Sequence, residues 1–147
     1  MNSEVLLRSD QIVKHFGLTH ALNGISVEVK RGEVVGLIGE NGSGKSTFSS
    51  IVSGICPPTS GTLELKGQPY KPLHAMDAQK HGVSMITQEM GTLPGIRVAD
   101  NIFLGREELF ARKGIVNRRE MYQAAREALG RIGITDIDPE APIARYS

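Results

Sequence analysis

The 147-residue chain has a single cysteine, Cys56, so no internal disulfide can form and a reducing compartment is expected. Neither sign of charge is in excess: 17 Lys and Arg against 16 Asp and Glu leave a net +1. That balance gives no global attraction to nucleic acid or anionic lipid. No apolar run approaches the ~18–20 residues of a membrane helix. The opening Met1-Asn-Ser-Glu-Val-Leu-Leu-Arg-Ser-Asp10 lacks the apolar core of a signal peptide. Internal repeats, low-complexity tracts and a central linker are also missing. The four histidines, His15, His20, His74 and His81, show no metal-ligand spacing, and Cys56, just before two prolines, reads as an inert small residue. With 39% hydrophobic and 22% charged residues, what remains is a soluble cytoplasmic domain of ordinary size. A chain of this length buries roughly two-thirds of its unfolded surface and needs no staple to hold a core.

Hydropathy patterning divides the chain into a β-rich beginning and a helical end. Glu4–Leu7 and Ile12–Phe16 read as two short strands, and Ile25–Val29 alternates with the period of a half-buried strand. Val34-Val-Gly-Leu-Ile38 is a continuous apolar run, which suits a strand buried on both faces. A glycine-rich turn leads into a helix over Lys45–Val52, with Gly54 as its stop. Thr62–Lys66 is expected as a strand, Leu73–Lys80 as a helix and Val83–Thr87 as another strand. Met90–Gly95 is loop, and Val98–Leu104 a short helix. The clearest helix is Arg118–Ile132, where Met121, Ala125, Ala128, Leu129 and Ile132 share one stripe. Arg118 and Arg119 read as its solvated start, and the prolines at 139 and 142 close the ordered part.

The chemistry is concentrated in Gly39-Glu-Asn-Gly-Ser-Gly44-Lys45-Ser46, which fits G-x-x-x-x-G-K-[ST] between an expected strand and an expected helix. Glycines let such a loop curl until several backbone N–H groups point inward at phosphate oxygens. The helix that follows offers its N-terminus to the same anion. Lys45 supplies a full positive charge for the β- and γ-phosphates, Ser46 a hydroxyl for Mg²⁺, and Thr47 a donor to the α-phosphate.

These residues also carry a resemblance. Gly39-Glu-Asn-Gly-Ser-Gly-Lys-Ser-Thr47 resembles the Walker A sequence of ATP-binding cassette (ABC) proteins. Ala21–Val29, Gly32-Glu33, Gly54, Pro58–Gly61 and Gly67 are similar to the stretches that flank it. Met85-Ile-Thr-Gln-Glu89 resembles the family's Q-loop. Val98–Arg106, with Gly114–Arg119, is most similar to the first cassette of the ATPases of bacterial monosaccharide importers. The resemblance implies an α/β P-loop core with an N-terminal antiparallel β region and part of a helical subdomain. Residues 1–89 would form the nucleotide-binding core and residues 90–147 the start of the permease-docking subdomain. Gly39, Asn41, Gly42, Ser43, Gly44, Lys45, Ser46 and Thr47 would bind ATP and Mg²⁺. Phe16, twenty-nine residues before Lys45, would stack on adenine, a contact that tolerates any base. Gln88 would reach the metal and the attacking water.

The implied partners are transmembrane permease subunits, which the region from Met90 to Leu109 would contact through exposed apolar residues such as Ile96. A second cassette and, indirectly, a periplasmic sugar-binding protein complete the set, at the cytoplasmic face of the bacterial inner membrane. No nucleic-acid partner is implied.

Several family features are not in this sequence. No run of four apolar residues ends in Asp-Glu, no Leu-Ser-Gly-Gly-Gln relative occurs, and no histidine stands where the family places its switch histidine. Tyr146-Ser147 aligns with the start of the signature motif, so the resemblance implies the N-terminal part of a longer ATPase that is inactive in hydrolysis on its own. Two alternatives stay open: a non-catalytic nucleotide-binding module, and an ABC ATPase outside transport. A GTPase reading fails, because no Asn-Lys-x-Asp motif is present.

Overall fold

A computed structural model describes residues 4–87 and 91–146 and falls into two compact units, Met1–Ile86 and Thr87–Ser147.

In the first unit, β1 (Val5–Phe16) and β2 (Thr19–Lys30) form an antiparallel hairpin joined at Gly17-Leu18. Gly17 has φ 58° and Leu18 does not have a positive φ, the pattern of a type II′ turn, whose twist matches that of the paired strands. The two short strands expected before residue 17 are one. Their polar interruption is a bulge: Gln11 sits at φ 48°, pairing slips between Ser9 and Ile12, and the Gln11 N–H donates to Ser26 Oγ at 2.9 Å. β3 (Ser60–Leu65) and β4 (Gln68–Pro69) complete a four-stranded antiparallel sheet in the order β2-β1-β3-β4.

Helix α1 (Lys45–Val52) forms where its composition placed it and turns Phe48 and Ile51 onto the sheet. There they meet Ile12, Leu22 and Leu63, with Tyr70 and Ala78 closing the cluster. The Phe, Ile and Leu side chains among them each contribute about 1.5–3 kcal/mol on burial. α2 (Ala75–Lys80) starts later than its pattern suggests, because His74 Nδ1 accepts the Asp77 N–H at 3.1 Å and caps it.

Val34–Ile38 and Val83–Thr87 are not strands. A strand needs a neighbour to share its ladder, and every sheet pairing among the described residues is antiparallel and lies elsewhere. Val34, Ile38 and Ile86 are accordingly 97%, 98% and 98% exposed, where Val34–Ile38 was expected to be buried on both faces.

The second unit packs α3 (Val98–Ile102), a 3₁₀ turn (Glu107–Phe110), the small hairpin of β5 (Ala111–Arg112) and β6 (Ile115–Val116), and α4 (Arg118–Arg131). Its core is Ala99, Phe110, Met121, Tyr122 and Ala125. The expected stripe on α4 holds at Met121 and Ala125; Ile132 lies past the helix end and is 71% exposed, and Tyr122 takes the inward place. Arg118 is not merely solvated: it reaches Asp100 at 3.4 Å and the Tyr122 hydroxyl at 3.5 Å.

The segment from Asp138, expected to be unordered, is tied along α3. Ala99 N–H donates to Pro139 O, Val98 N–H to Ala141 O and Ile143 N–H to Ile96 O, at 3.0, 3.0 and 3.1 Å. Pro139 is among the most buried side chains of the molecule. Among the described residues, no helix is long and apolar enough to cross a membrane.

Candidate functional site: an anion cradle at the start of α1

The loop from Gly39 to Gly44 is built around two positive φ values, 85° at Gly42 and 90° at Gly44. Only glycine adopts these cheaply. Gly44 carries a second constraint. A Cβ there would run into the Ala21 carbonyl oxygen and lie 2.6 Å from Leu22 Cδ2, so β2 can approach the loop only because the side chain is absent. Gly39 is confined too: its Cβ would fall 2.6 Å from Ser43 Oγ.

Gly44 is also the N-cap of α1, and no side chain caps the helix. The first N–H groups of a helix have no partner within it, and the first turn of α1 holds no acidic residue. The positive end of the helix is therefore left for an external anion.

Lys45 folds back across this cradle. Its Nζ donates to Gly39 O at 2.7 Å and Glu40 O at 2.6 Å, with Ser43 Oγ at 3.4 Å. These contacts fix the ammonium at the loop, where it adds a full charge to the helix end. Ser46 is exposed on the first turn of α1 and Thr47 half-buried beside it, while Asn41 and Ser43 lie exposed on the loop. The loop, the glycines and the hydroxyls of the expected set thus come together in one place.

Phe16 stands at the tip of the hairpin whose second strand braces Gly44, with its ring 53% exposed. The Lys14 ammonium lies 5.0 Å from the ring centroid and donates to Pro57 O at 2.6 Å. An exposed aromatic platform on β1 and an anion cradle braced by β2 share one hairpin. Gln88 lies outside the described residues.

The region after residue 90 differs from a plain docking loop. Asn101 Oδ1 accepts the Leu93 N–H at 2.7 Å, and Asn101 Nδ2 donates to the carbonyls of Leu93 and Arg97, both at 3.1 Å. Ile96 is half-buried rather than exposed, whereas Leu93 is exposed. Sequence reading missed Asn101 and the bracing pair Ala21 and Leu22. Their roles come from tertiary contact, which no local pattern displays.

Comparison with known proteins agrees with this geometry. A model of the ABC transporter family matches residues 22–147. The ribose import ATP-binding protein RbsA of Geobacillus kaustophilus is 41% identical over 136 residues, which are 92% of this chain and 27% of the relative. The arabinose import ATP-binding protein AraG of Chromohalobacter salexigens is 41% identical over 99% of this chain and 29% of its own length. Among solved structures, a nucleotide-free ATP-binding cassette from an ABC transporter superposes with TM-score 0.80 at 26% identity, covering 97% of this chain and 59% of that one. The ADP conformation of the cassette MJ1267 gives 0.78, also at 26%. The chain thus spans less than a third of the curated relatives it matches.

Proposed function

Because the chain belongs to the ABC transporter family, we propose that it is the nucleotide-binding portion of a cassette that powers import of a monosaccharide. The observation that carries the reading is the cradle itself: Lys45 held at Gly39 and Glu40 beside an uncapped helix whose N-cap glycine admits no side chain. A polyphosphate fits this site, because the uncapped helix end without an acidic first turn and the Lys45 ammonium at the loop both favour an anion.

In this reading Asn41, Gly42, Ser43 and Gly44 line the phosphates with backbone, and Lys45 offsets their charge. Ser46 and Gln88 hold Mg²⁺, Thr47 donates to the α-phosphate, and Phe16 stacks on adenine. Mg²⁺, when bound, neutralises phosphate charge and polarises the phosphoryl group. The stacking platform contributes ~1–3 kcal/mol without selecting the base, so the phosphates and the metal carry the preference for a triphosphate.

The sequence of 147 residues has no run of four apolar residues ending in Asp-Glu to supply a base for water. Loss of such a general base removes about 10²–10⁴-fold in rate, so this chain binds nucleotide without turning it over. Hydrolysis belongs to the full-length protein, a peripheral ATPase on the cytoplasmic face of the inner membrane. Its partners are permease subunits contacted through the segment after Gln88, a second cassette, and, indirectly, a sugar-binding protein. The sugar-import names of the relatives at 41% identity support that assignment.

The test is uptake of labelled pentoses and hexoses by vesicles carrying the full-length protein and its permease. ATP-dependent uptake lost in Lys45→Ala supports the reading. Nucleotide binding that depends on Lys45, without permease association or uptake, would replace it with a regulatory module.

A further inference from the structure

The fold brings together two imidazoles that the sequence separates by five positions. His15 on β1 and His20 on β2 are cross-strand partners, one pair removed from the turn at Gly17-Leu18. Their ring centroids lie 4.0 Å apart, with the planes tilted by 49°. His15 is half-buried and His20 exposed. Among the described residues no polar atom hydrogen-bonds to either ring. The other two histidines are engaged: His74 Nδ1 accepts from the Asp77 N–H, and His81 Nδ1 lies 2.8 Å from Asp77 O.

We propose that His15 and His20 form a two-imidazole binding site for a divalent transition-metal ion of the Ni²⁺, Zn²⁺ and Cu²⁺ group, with water completing the coordination shell. Neutral imidazole is the commonest protein ligand for these ions and suits all three. Chelation by two side chains normally requires both to be ordered on binding, at a cost in rotamer freedom. Here the hairpin pairs the two residues across the strands and brings the ring centroids to 4.0 Å, so part of that ordering is done before binding. The His15 N–H donates to Thr59 Oγ1 at 3.0 Å and anchors the strand beneath the site. Strand alternation places Lys14 and Phe16 on the opposite face from His15, and the Lys14 ammonium is turned to Pro57 O, which keeps a competing cation away. No cluster of three or more metal-binding side chains exists among the described residues, so the site is open and exchangeable rather than a closed structural centre.

The inference does not rest on nucleotide binding; the cradle residues are not part of the pair. The test is calorimetric titration of the tag-free chain with NiCl₂ in a non-coordinating buffer, for wild type, H15A, H20A, H74Q and H81Q. Losing an outer-shell partner already costs about 10–100-fold in metal affinity, so losing one of two direct ligands raises the dissociation constant at least about tenfold. That loss in H15A and H20A, with H74Q and H81Q unchanged, is the expected result. Absence of saturable binding, or equal loss in H74Q or H81Q, overturns the assignment. Should H15A fail to fold, proton NMR of the wild-type chain decides. Substoichiometric Ni²⁺ should broaden two histidine ring signals and leave two sharp, whereas uniform broadening contradicts the site.

Discussion

Replacing Gly44 by Ala separates two costs that a glycine-rich loop usually confounds. Both Gly42 and Gly44 sit at strongly positive φ, 85° and 90°. An L side chain there costs ~1–2 kcal/mol in strain, offset by ~0.4–1 kcal/mol from a less flexible unfolded chain. That net term, roughly 0–1.6 kcal/mol, is common to both sites. The surroundings differ. A Cβ on Gly42 meets nothing within 4 Å, whereas on Gly44 it meets the Ala21 carbonyl and Leu22 Cδ2. The Ala21 atom is strand backbone near the hairpin end of β2 and cannot swing aside as a side chain would, so the hairpin must shift, an overpacking cost of ~1–3 kcal/mol.

Gly44→Ala should therefore destabilise the first unit by about 1–3 kcal/mol more than Gly42→Ala. At a urea m-value near ~1 kcal/mol/M, the two midpoints separate by roughly 1 M or more. Hydrogen exchange of β2 peptides, read by mass spectrometry across a urea series, measures this unit alone. Coincident midpoints for the two variants would refute the claim that β2 braces the cradle.

Two further predictions concern the scaffold. Tyr70 is buried and donates to Val52 O at 2.9 Å, at the end of α1, so Tyr70→Phe should cost ~0.5–1.5 kcal/mol in thermal or urea unfolding. Burial first, and then the Asp77 charge, hold its phenol above the ordinary value of 10.0. The folded state thus favours the neutral phenol, and the resulting stability is fully present below the unfolded value and lost as pH rises through the folded one. A loss of stability in wild type above pH ~10 that disappears in Tyr70→Phe is the expected outcome. In the second unit, Asn117 Oδ1 accepts the Glu120 N–H at 3.3 Å as the N-cap of α4. Asn117→Ala should destabilise that helix by about 0.5–2 kcal/mol, read by exchange of amides in 118–131.

The parts of this molecule legible in sequence are those fixed by local chemistry. Lys45–Val52 was readable because a glycine-rich turn and Gly54 punctuate a helix-forming stretch, and α4 because Met121 and Ala125 repeat at helical spacing. The glycine-lysine loop was readable because its geometry follows from its own residues. Contacts between distant segments were not. Arg8-Ser-Asp-Gln11 looks like a break between strands, and only the Ser26 hydroxyl that receives Gln11 makes it a bulge. Val34–Ile38 has the composition of a buried strand, but composition does not provide the neighbouring strand that burial requires. Pro139 and Pro142 suggested disorder, yet the backbone between them is bonded to Val98 and Ala99, a pairing no local pattern encodes. The same limit hid the His15–His20 contact and the bracing of Gly44 by Ala21.

The central claim, that the loop over Lys45 is a nucleotide-phosphate site, is tested most directly by calorimetric titration of the purified chain with Mg·ATP beside Lys45→Ala, with phosphate release followed in the same samples. The account predicts saturable binding in wild type, loss of that binding in the variant, and no sustained turnover in either. Equal binding by wild type and Lys45→Ala, or steady hydrolysis that the substitution abolishes, would contradict it.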